Sequence, residues 1–210
     1  MLIAIEPNVP LKYYDVTKKV WQEYGQNIPI KEKCYSVVSS GNFVFIGSGQ
    51  KVYRYSIDNN SWDALPPMLT GAYYVQYNYN LFVLGEYLYA FGETVAKRYS
   101  FVEKTWQECA QVGNSEWAWA VLDECIYAVG YSQTRMFDES KNKWIKKSAN
   151  LRNRVSCYAF GYKGKLVIVG GKVQRQEQVK DDFSIKFNRT VHEKTSTVEA
   201  YCKESNRWSE

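Results

Sequence analysis

Short apolar runs recur along the chain and close at a glycine. Four of them are FVFIG, YLYAFG, CIYAVG and LVIVGG, which reach Gly47, Gly92, Gly130 and Gly170. Runs of this length that are rich in Val, Tyr and Phe and bounded by turn residues are typical of strands. A second apolar stretch begins thirteen residues before each glycine, at Cys34, Tyr79, Trp117 and Cys157. The pattern predicts an all-β fold.

Each unit also contains an aromatic residue followed seven positions later by Trp. The segments are YDVTKKVW, YSIDNNSW, YSFVEKTW, FDESKNKW and YCKESNRW, which end at Trp21, Trp62, Trp106, Trp144 and Trp208. The polar residues between the two rings predict a tight β-hairpin that brings the rings together across its strands. Two residues before each Trp stand Lys19, Asn60, Lys104, Asn142 and Asn206. Asn is the non-glycine residue that best tolerates the positive φ of such a turn.

The spacing of the tryptophans predicts a repeat. They are 41, 44, 38 and 64 residues apart, and the last interval equals one period plus an insertion of about 24 residues. A strand-built period of this size is typical of β-propeller blades. Each unit then has four antiparallel strands, a to d, of which b ends at the glycine, c ends at the aromatic residue and d carries Trp. We interpret the glycine as the residue that allows the chain to turn sharply beside the rings, where a Cβ would be hard to fit.

These landmarks resemble the kelch repeat, in which a glycine doublet follows strand b and a Tyr is followed seven residues later by Trp. The resemblance extends from Leu2 to Trp208. Only Gly170-Gly171 keeps the doublet, the other three b strands keep its first glycine, and Glu6-Pro7 replaces both in the first repeat. The resemblance implies a kelch-type β-propeller, usually of six four-stranded blades.

On this interpretation, residues 1–210 form a single propeller domain. A partial first blade at 1–30 is followed by blades at about 31–65, 72–110, 114–148 and 152–210, with an insertion at 172–196. The first blade has LIAI as strand b, KYYD as c and VWQEY as d, without a strand a. Two hypotheses follow: a fragment of a six-bladed propeller, which we favour because open apolar edges promote aggregation, or an incomplete, open propeller.

Composition narrows the classes of partner. The net charge of +5 comes from 27 Lys and Arg and 22 Asp and Glu spread along the chain, whereas nucleic-acid binders concentrate basic residues on one face. No apolar segment approaches membrane-spanning length. Five cysteines without a CxxC pair disfavour a zinc site and a disulfide framework and suit reduced thiols. We therefore expect no nucleic-acid or membrane partner, and a cytoplasmic or also nuclear location.

The single histidine, His192, is the main evidence against an enzyme. Nucleophilic triads need an imidazole or an equivalent base, and no glycine-rich phosphate loop opens a helix. Asp and Glu are plentiful, so a catalytic carboxylate pair stays open, but nothing singles one out. We predict a non-catalytic protein without cofactor or metal, and we interpret His192 as a solvated surface residue.

The resemblance also indicates candidate binding residues. In kelch domains the d-to-a and b-to-c loops line one mouth of the central channel, and many members carry a basic residue sixteen positions before the glycine. The d-to-a candidates are Lys31, Gln76, Asn114 and Arg154, with Arg152 close by, and the b-to-c candidates are Gln50, Glu93, Tyr131 and Gln133. We expect a polar rim that accepts an acidic or hydrogen-bonding peptide. Ordinary surface polarity is the alternative, as is a Tyr131 that only caps its blade.

The insertion, roughly Lys172 to Ser196, extends a b-to-c loop onto that same mouth. Its DFSIKF segment alternates apolar with polar residues, enough for an additional strand or hairpin. A disordered excursion is the other interpretation.

The function implied by the resemblance is substrate recognition in a BTB-kelch adaptor, which presents a protein or peptide substrate to a cullin-RING ubiquitin ligase. The BTB region that would engage the ligase is absent from these 210 residues. A second hypothesis is a kelch scaffold that binds actin filaments. A third, an enzyme on a propeller frame, is disfavoured by the single histidine.

Overall fold

A computed structural model describes residues 2–4, 9–30, 36–68, 79–113, 116–180 and 186–210. Within these ranges the regular secondary structure consists of β-strands alone, as the sequence predicts, and the strands form antiparallel sheets. The chain divides into two compact units, Met1–Cys109 and Ala110–Glu210. The single propeller domain expected from the sequence therefore stays a prediction.

The first unit contains three meandering sheets. Sheet A consists of β1 (Leu2–Ala4), β2 (Pro10–Asp15) and β3 (Val20–Asn27). Sheet B consists of β4 (Ser36–Ser40), β5 (Phe43–Ser48), β6 (Lys51–Ser56) and β7 (Ser61–Ala64). Sheet C consists of β8 (Tyr79–Leu84), β9 (Tyr87–Gly92), β10 (Ala96–Ser100) and β11 (Trp106–Glu108). The strand order within each sheet follows the chain, so the predicted a-b-c-d meander is confirmed for sheets B and C.

The second unit contains two further meanders and the insertion. Sheet D consists of β12 (Ala118–Leu122), β13 (Cys125–Gly130), β14 (Gln133–Asp138) and β15 (Lys143–Lys147). Sheet E consists of β16 (Arg154–Val155), β19 (Lys172–Lys180) and β20 (Lys186–Lys194). Sheet F consists of β17 (Tyr158–Tyr162), β18 (Lys165–Val169), β21 (Val198–Cys202) and β22 (Arg207–Ser209). Sheets D and F each keep the a-b-c-d order.

The aromatic-to-Trp segments form the predicted hairpins. Each aromatic ring packs on its tryptophan, with centroids 4.8 to 5.5 Å apart, in the pairs Tyr14–Trp21, Tyr55–Trp62, Tyr99–Trp106, Phe137–Trp144 and Tyr201–Trp208. The residue two before each Trp has a positive φ of 46° to 58°, at Lys19, Asn60, Lys104, Asn142 and Asn206. The sequence prediction is confirmed, and it holds at the two lysines as well as at the asparagines.

The residue after the aromatic caps the turn in four of the five hairpins. Its side-chain oxygen accepts a hydrogen bond from the backbone N–H three residues on, in the pairs Asp15–Lys18, Ser56–Asn59, Ser100–Glu103 and Asp138–Lys141, at 3.0 to 3.3 Å. These caps are Asx and Ser turns, which fix a polar turn without glycine. The sequence analysis did not predict these caps.

Three tryptophan indoles tie their hairpins to an earlier part of the chain. Each indole N–H donates to a carbonyl just after the strand d that precedes it in the sequence: Trp106 to Pro66 at 2.7 Å, Trp144 to Ala110 at 2.8 Å and Trp208 to Ser148 at 3.1 Å. In these three repeats the tryptophan therefore donates a hydrogen bond to the preceding connection, in addition to packing on the aromatic ring of its own hairpin.

The cores lie between successive sheets within each unit. One core joins Leu11, Ile28 and Ile30 to Val44, Ile46 and Tyr55 of sheet B. The opposite face of sheet B packs on sheet C through Phe45, Val52, Leu81, Leu88 and Tyr99. In the second unit, sheets D and F share Ala120, Leu122, Tyr127, Val129, Leu166, Ile168, Tyr201 and Trp208. In each case the aromatic–Trp hairpin belongs to the face that packs on the preceding sheet.

The glycine landmarks need two corrections. In sheets C and F, the residues of strand b that pair with the hairpin aromatic are Leu88 and Leu166, and Gly92 and Gly170 come four positions after them. In sheet B the paired residue is Val44, and the residue four positions after it is the buried Ser48. Gly47 is thus one residue out of register with them.

The reason for glycine also differs in part from the expected one. A Cβ at Gly47 would lie 2.5 Å from the Tyr79 ring, and one at Gly130 would lie 2.7 Å from the Glu116 carbonyl oxygen. Gly170 has a φ of 63°, and the nearest atom to a Cβ there would be the Thr195 carbonyl oxygen, at 3.8 Å. Close approach by the Tyr79 ring or by backbone therefore favours glycine at Gly47 and Gly130, rather than the hairpin rings, whereas the positive φ of Gly170 agrees with the predicted sharp turn.

The described part of the insertion is a long hairpin. Strands β19 and β20 pair from Lys172 opposite Lys194 to Lys180 opposite Lys186. This confirms the hairpin interpretation for the residues described, although most of the DFSIKF segment lies outside them.

Candidate functional site

The b-to-c turn of sheet D lies against the segment that precedes sheet F. Tyr131 and Ser132 form this turn, with φ values of 49° and 55°. The Tyr131 N–H donates to the Arg154 carbonyl at 3.0 Å. The Tyr131 side chain is half-buried, and Gln133 beside it accepts a hydrogen bond from the Arg135 guanidinium at 3.2 Å. One predicted rim residue, Tyr131, thus lies on a turn that backbone hydrogen bonding holds in place, and a second, Gln133, directly follows it.

The inserted hairpin joins the same segment from the other side. Strand β16 pairs with β19, and the Gln174 N–H donates to the Asn153 carbonyl at 2.8 Å. The Asn153 amide donates to Gln174 Oε1 at 3.2 Å, and Gln174 Nε2 lies 2.8 Å from His192 Nε2. We call the surface formed by Tyr131, Gln133, Asn153, Gln174 and His192 the loop surface. His192 is exposed, as the sequence predicted.

Arg154 does not belong to an exposed rim. Its side chain has 0% exposure and donates to the Gly170 and Thr197 carbonyls at 2.7 and 2.9 Å. It also donates to the Thr197 hydroxyl at 2.7 Å and to the Glu199 carboxylate at 2.6 Å. A buried guanidinium needs several acceptors to offset the loss of hydration. The expectation of an accessible Arg154 is therefore wrong, because these four acceptors draw the side chain inward beneath the loop surface.

Glu199 contributes to this network, although the sequence analysis did not predict it as a site residue. It lies in β21, is fully buried, and accepts hydrogen bonds from the Arg154 guanidinium and, at 2.6 Å, from the Leu151 N–H. The sequence does contain a signal for this residue. Two positions before the hairpin aromatic, the five repeats have Lys12, Tyr53, Lys97, Arg135 and Glu199. Glu199 is therefore the only acidic residue at this position of the repeat, and it belongs to the repeat that carries Arg154.

Arg152 is a partly exposed extension of this network. Its guanidinium is 2.7 Å from the Glu210 carboxylate and 3.5 Å from that of Glu199. The hydrogen bond to Glu210, with the charges of Glu210 and Glu199, raises the pKa of Arg152 above its ordinary value. Arg152 is therefore at the surface as predicted, but its charge is already shared with two carboxylates.

The other predicted rim residues divide into two groups. Gln50 and Glu93 lie in the b-to-c turns of sheets B and C, in the first unit; Gln50 is half-buried and Glu93 exposed. Lys31, Gln76 and Asn114 lie outside the described residues. The structure therefore brings together Tyr131, Gln133 and the Arg152–Arg154 segment, all within the second unit.

No protein-family model matches the chain, and no curated protein matches it.

The described residues supply polar groups to the loop surface, and their cysteines are unpaired. Among them, no three or more His, Cys, Asp or Glu side chains are grouped closely enough to hold a metal ion. Cys109, Cys125, Cys157 and Cys202 are unbridged, and burial raises the pKa of the Cys157 thiol. In the described part of the chain, no helix is long and apolar enough to cross a membrane. The loop surface offers amide, phenol and imidazole groups suited to hydrogen bonding.

Proposed function

We propose that this chain forms blades of a kelch-type β-propeller and binds a protein or peptide partner through the loop surface. One observation carries the proposal: three separate loops, the Tyr131 turn, residues 151–154 and the inserted hairpin, are joined by hydrogen bonds into one surface. Binding sites in β-rich domains typically lie on loops positioned by a rigid frame. The aromatic–Trp hairpins and the filled cores between sheets supply that frame.

The charge of the hairpin favours an acidic partner. The inserted segment, residues 172–196, contains six Lys or Arg residues, at 172, 175, 180, 186, 189 and 194, against Glu177, Asp181, Asp182 and Glu193. Arg175 pairs with both glutamates, while Lys172 and Lys194 stand opposite each other and are exposed. An acidic segment of the partner would be attracted to this excess, with an affinity that falls as salt rises.

The cellular role that fits such a module is substrate recognition for a cullin-RING ubiquitin ligase, in the cytoplasm or also in the nucleus. This role rests on the resemblance of the repeat to the kelch domain of BTB-kelch adaptors.

The binding proposal is tested by affinity capture with the chain as bait, followed by titration of the purified partner. Two changes address the surface: Tyr131→Asn, which removes the ring but tolerates the positive φ, and the double variant Lys172→Glu with Lys194→Glu. We expect about tenfold weaker binding or more for the charge reversal. The matched control is Lys143→Glu with Lys146→Glu in strand β15, which makes the same charge change on exposed lysines elsewhere. Equal affinity for all variants would contradict the proposal.

The ligase role has its own test. Deleting the gene should lengthen the half-life of the captured partner, and inhibiting cullin-RING ligases should have the same effect. An unchanged half-life would contradict the ligase role while leaving the binding proposal intact. Cosedimentation of the purified chain with actin filaments would instead favour the scaffold alternative.

A further inference from the structure

Four buried polar atoms without a protein partner lie within five consecutive residues. They are Asn150 Oδ1, Arg152 Nη1, Asn153 Oδ1 and Arg154 Nε, and in the described part of the chain none of them has a hydrogen-bond partner. Other atoms of the same side chains are paired: Asn150 Nδ2 donates to the Arg152 carbonyl at 2.6 Å, and Asn153 Nδ2 donates to Gln174. Buried polar groups are almost always satisfied in native proteins, because an unpaired one costs free energy. We call these four atoms the unpaired cluster.

The cluster lies next to the buried ion pair. Glu199 Oε1 is 2.6 Å from Arg154 Nη2 and 3.5 Å from Arg152 Nη1, and the second distance is beyond the usual range of a hydrogen bond. Glu199 Oε2 accepts the Leu151 N–H at 2.6 Å, and Asn150 directly precedes Leu151. The Asn150 side chain is only 4% exposed and that of Arg154 is 0% exposed. Any group that satisfies the cluster therefore has to be small.

The chemistry of the cluster indicates a neutral ligand. The two arginine nitrogens can only donate hydrogen bonds, and the two asparagine Oδ1 atoms can only accept them. An anion would be repelled by the amide oxygens, and a cation would be repelled by the guanidinium groups. The charges of the two arginines are also balanced already, by the Glu199 and Glu210 carboxylates. A small neutral molecule that both donates and accepts hydrogen bonds fits all four atoms, and water is that molecule.

We propose that residues 150–154 bind ordered water beneath the loop surface, with water accepting hydrogen bonds from the two guanidinium groups and donating to the two asparagine oxygens. Buried waters typically make about three hydrogen bonds to polar groups that would otherwise be unsatisfied. Water at Asn153 Oδ1 keeps the amide nitrogen of this side chain directed at Gln174, so it helps to hold the inserted hairpin against the segment before β17. The site is independent of any partner, because solvent occupies it in the free chain.

A crystal structure at a resolution that shows ordered water tests this proposal. We expect water peaks about 2.7 to 3.2 Å from the four atoms. The variant Asn153→Leu should lose the peak at its own position and keep those at the arginines. The matched control is Gln174→Leu, which removes the other end of the Asn153–Gln174 hydrogen bond and should keep every peak. A crystal soaked in sodium bromide should show no anomalous peak at the cluster.

NMR in solution gives a second measurement. The Arg154 Nε–H should give a slowly exchanging signal with a cross peak to water, assigned by its absence from the double variant Arg154→Met with Glu199→Leu. Thr197→Val should retain this cross peak, which separates water from the Thr197 hydroxyl that accepts a hydrogen bond from Arg154 Nη2. The Nε–H of the exposed Arg175 is the control, and its signal should exchange rapidly.

Three results would overturn the proposal: protein groups paired with the four atoms, bromide bound at the cluster, or an Arg154 Nε–H signal without a cross peak to water. Neither measurement contains a partner protein, so failure here is distinguishable from failure of the proposed function.

Discussion

The Arg154 guanidinium lies 2.6 Å from the Glu199 carboxylate, and neither side chain is exposed. This ion pair joins the segment before β17 to β21, which is strand c of sheet F. The Gly170 carbonyl, the Thr197 carbonyl and the Thr197 hydroxyl complete the set of acceptors. The Arg154 carbonyl in turn accepts the N–H of Tyr131. The loop surface is therefore supported from below by a buried charge pair.

Breaking this pair should destabilise the second unit strongly. We expect Glu199→Leu to lower the free energy of unfolding by about 3 to 5 kcal/mol, because it leaves the Arg154 guanidinium buried without its carboxylate. Urea unfolding measures the change. The double variant Arg154→Met with Glu199→Leu should recover much of the loss, because no uncompensated charge remains.

The matched control is Arg175→Met, which removes an exposed arginine paired with Glu177 and Glu193. Exposed pairs contribute at most about 1 kcal/mol. If Glu199→Leu cost no more than Arg175→Met, the buried network would not support the loop surface.

Removing the hydroxyl should change the free energy of unfolding in opposite directions at two buried tyrosines. Tyr127 and Tyr201 have ring centroids 6.2 Å apart. Within the described part of the chain the Tyr127 hydroxyl has no hydrogen-bond partner, whereas the Tyr201 hydroxyl donates to Asn206 Oδ1 at 2.8 Å. Burial raises the pKa of both phenols.

We therefore expect Tyr127→Phe to raise the free energy of unfolding by about 1 kcal/mol and Tyr201→Phe to lower it by a similar amount. Chemical denaturation of the two variants under identical conditions measures both changes. Destabilisation by Tyr127→Phe would mean that its hydroxyl is satisfied in solution.

The turn cap at Asp138 should make stability fall at acid pH. The hydrogen bond from Ser140 and those from Lys141 lower the pKa of Asp138 below its ordinary value. A carboxyl with a depressed folded-state pKa stabilises the fold above its unfolded pKa, and this contribution is lost as pH falls through the folded value.

Asp138→Asn should therefore flatten the acid side of a plot of urea midpoint against pH, because asparagine does not titrate. Ser140→Ala, which removes the largest cause of the shift, should flatten it in part. An Asp138→Asn curve parallel to wild type throughout would show that this carboxylate does not contribute.

The sequence predicted the parts of the fold that depend on local chemistry. The seven-residue spacing predicted five hairpins, and Asn60, Asn142 and Asn206 predicted their positive φ, because both depend on only a few neighbouring residues. The Gly47 register was wrong by one position, although the spacing of fifteen residues to Trp62 rather than fourteen was visible. Such a slip can only be resolved by knowing which residues face each other across strands.

The candidate site was less predictable because it depends on distant pairs. Arg154 is 45 residues from Glu199, and charge alone does not say whether an arginine points outward to a ligand or inward to a carboxylate. The turn position of Tyr131 could be predicted, since it follows strand b directly. Its hydrogen bond to Arg154 could not be, because that contact requires the arrangement of two sheets.

Hydrogen exchange of the tryptophan indole N–H groups tests the central structural claim most directly, namely that the tryptophans of three hairpins donate a hydrogen bond to the preceding connection. The indole signals can be followed by NMR and assigned with single Trp→Phe variants. The indoles of Trp106, Trp144 and Trp208, which donate to Pro66, Ala110 and Ser148, should exchange slowly, and that of the half-exposed Trp21 should exchange much faster. Equally rapid exchange at all four positions would contradict the account.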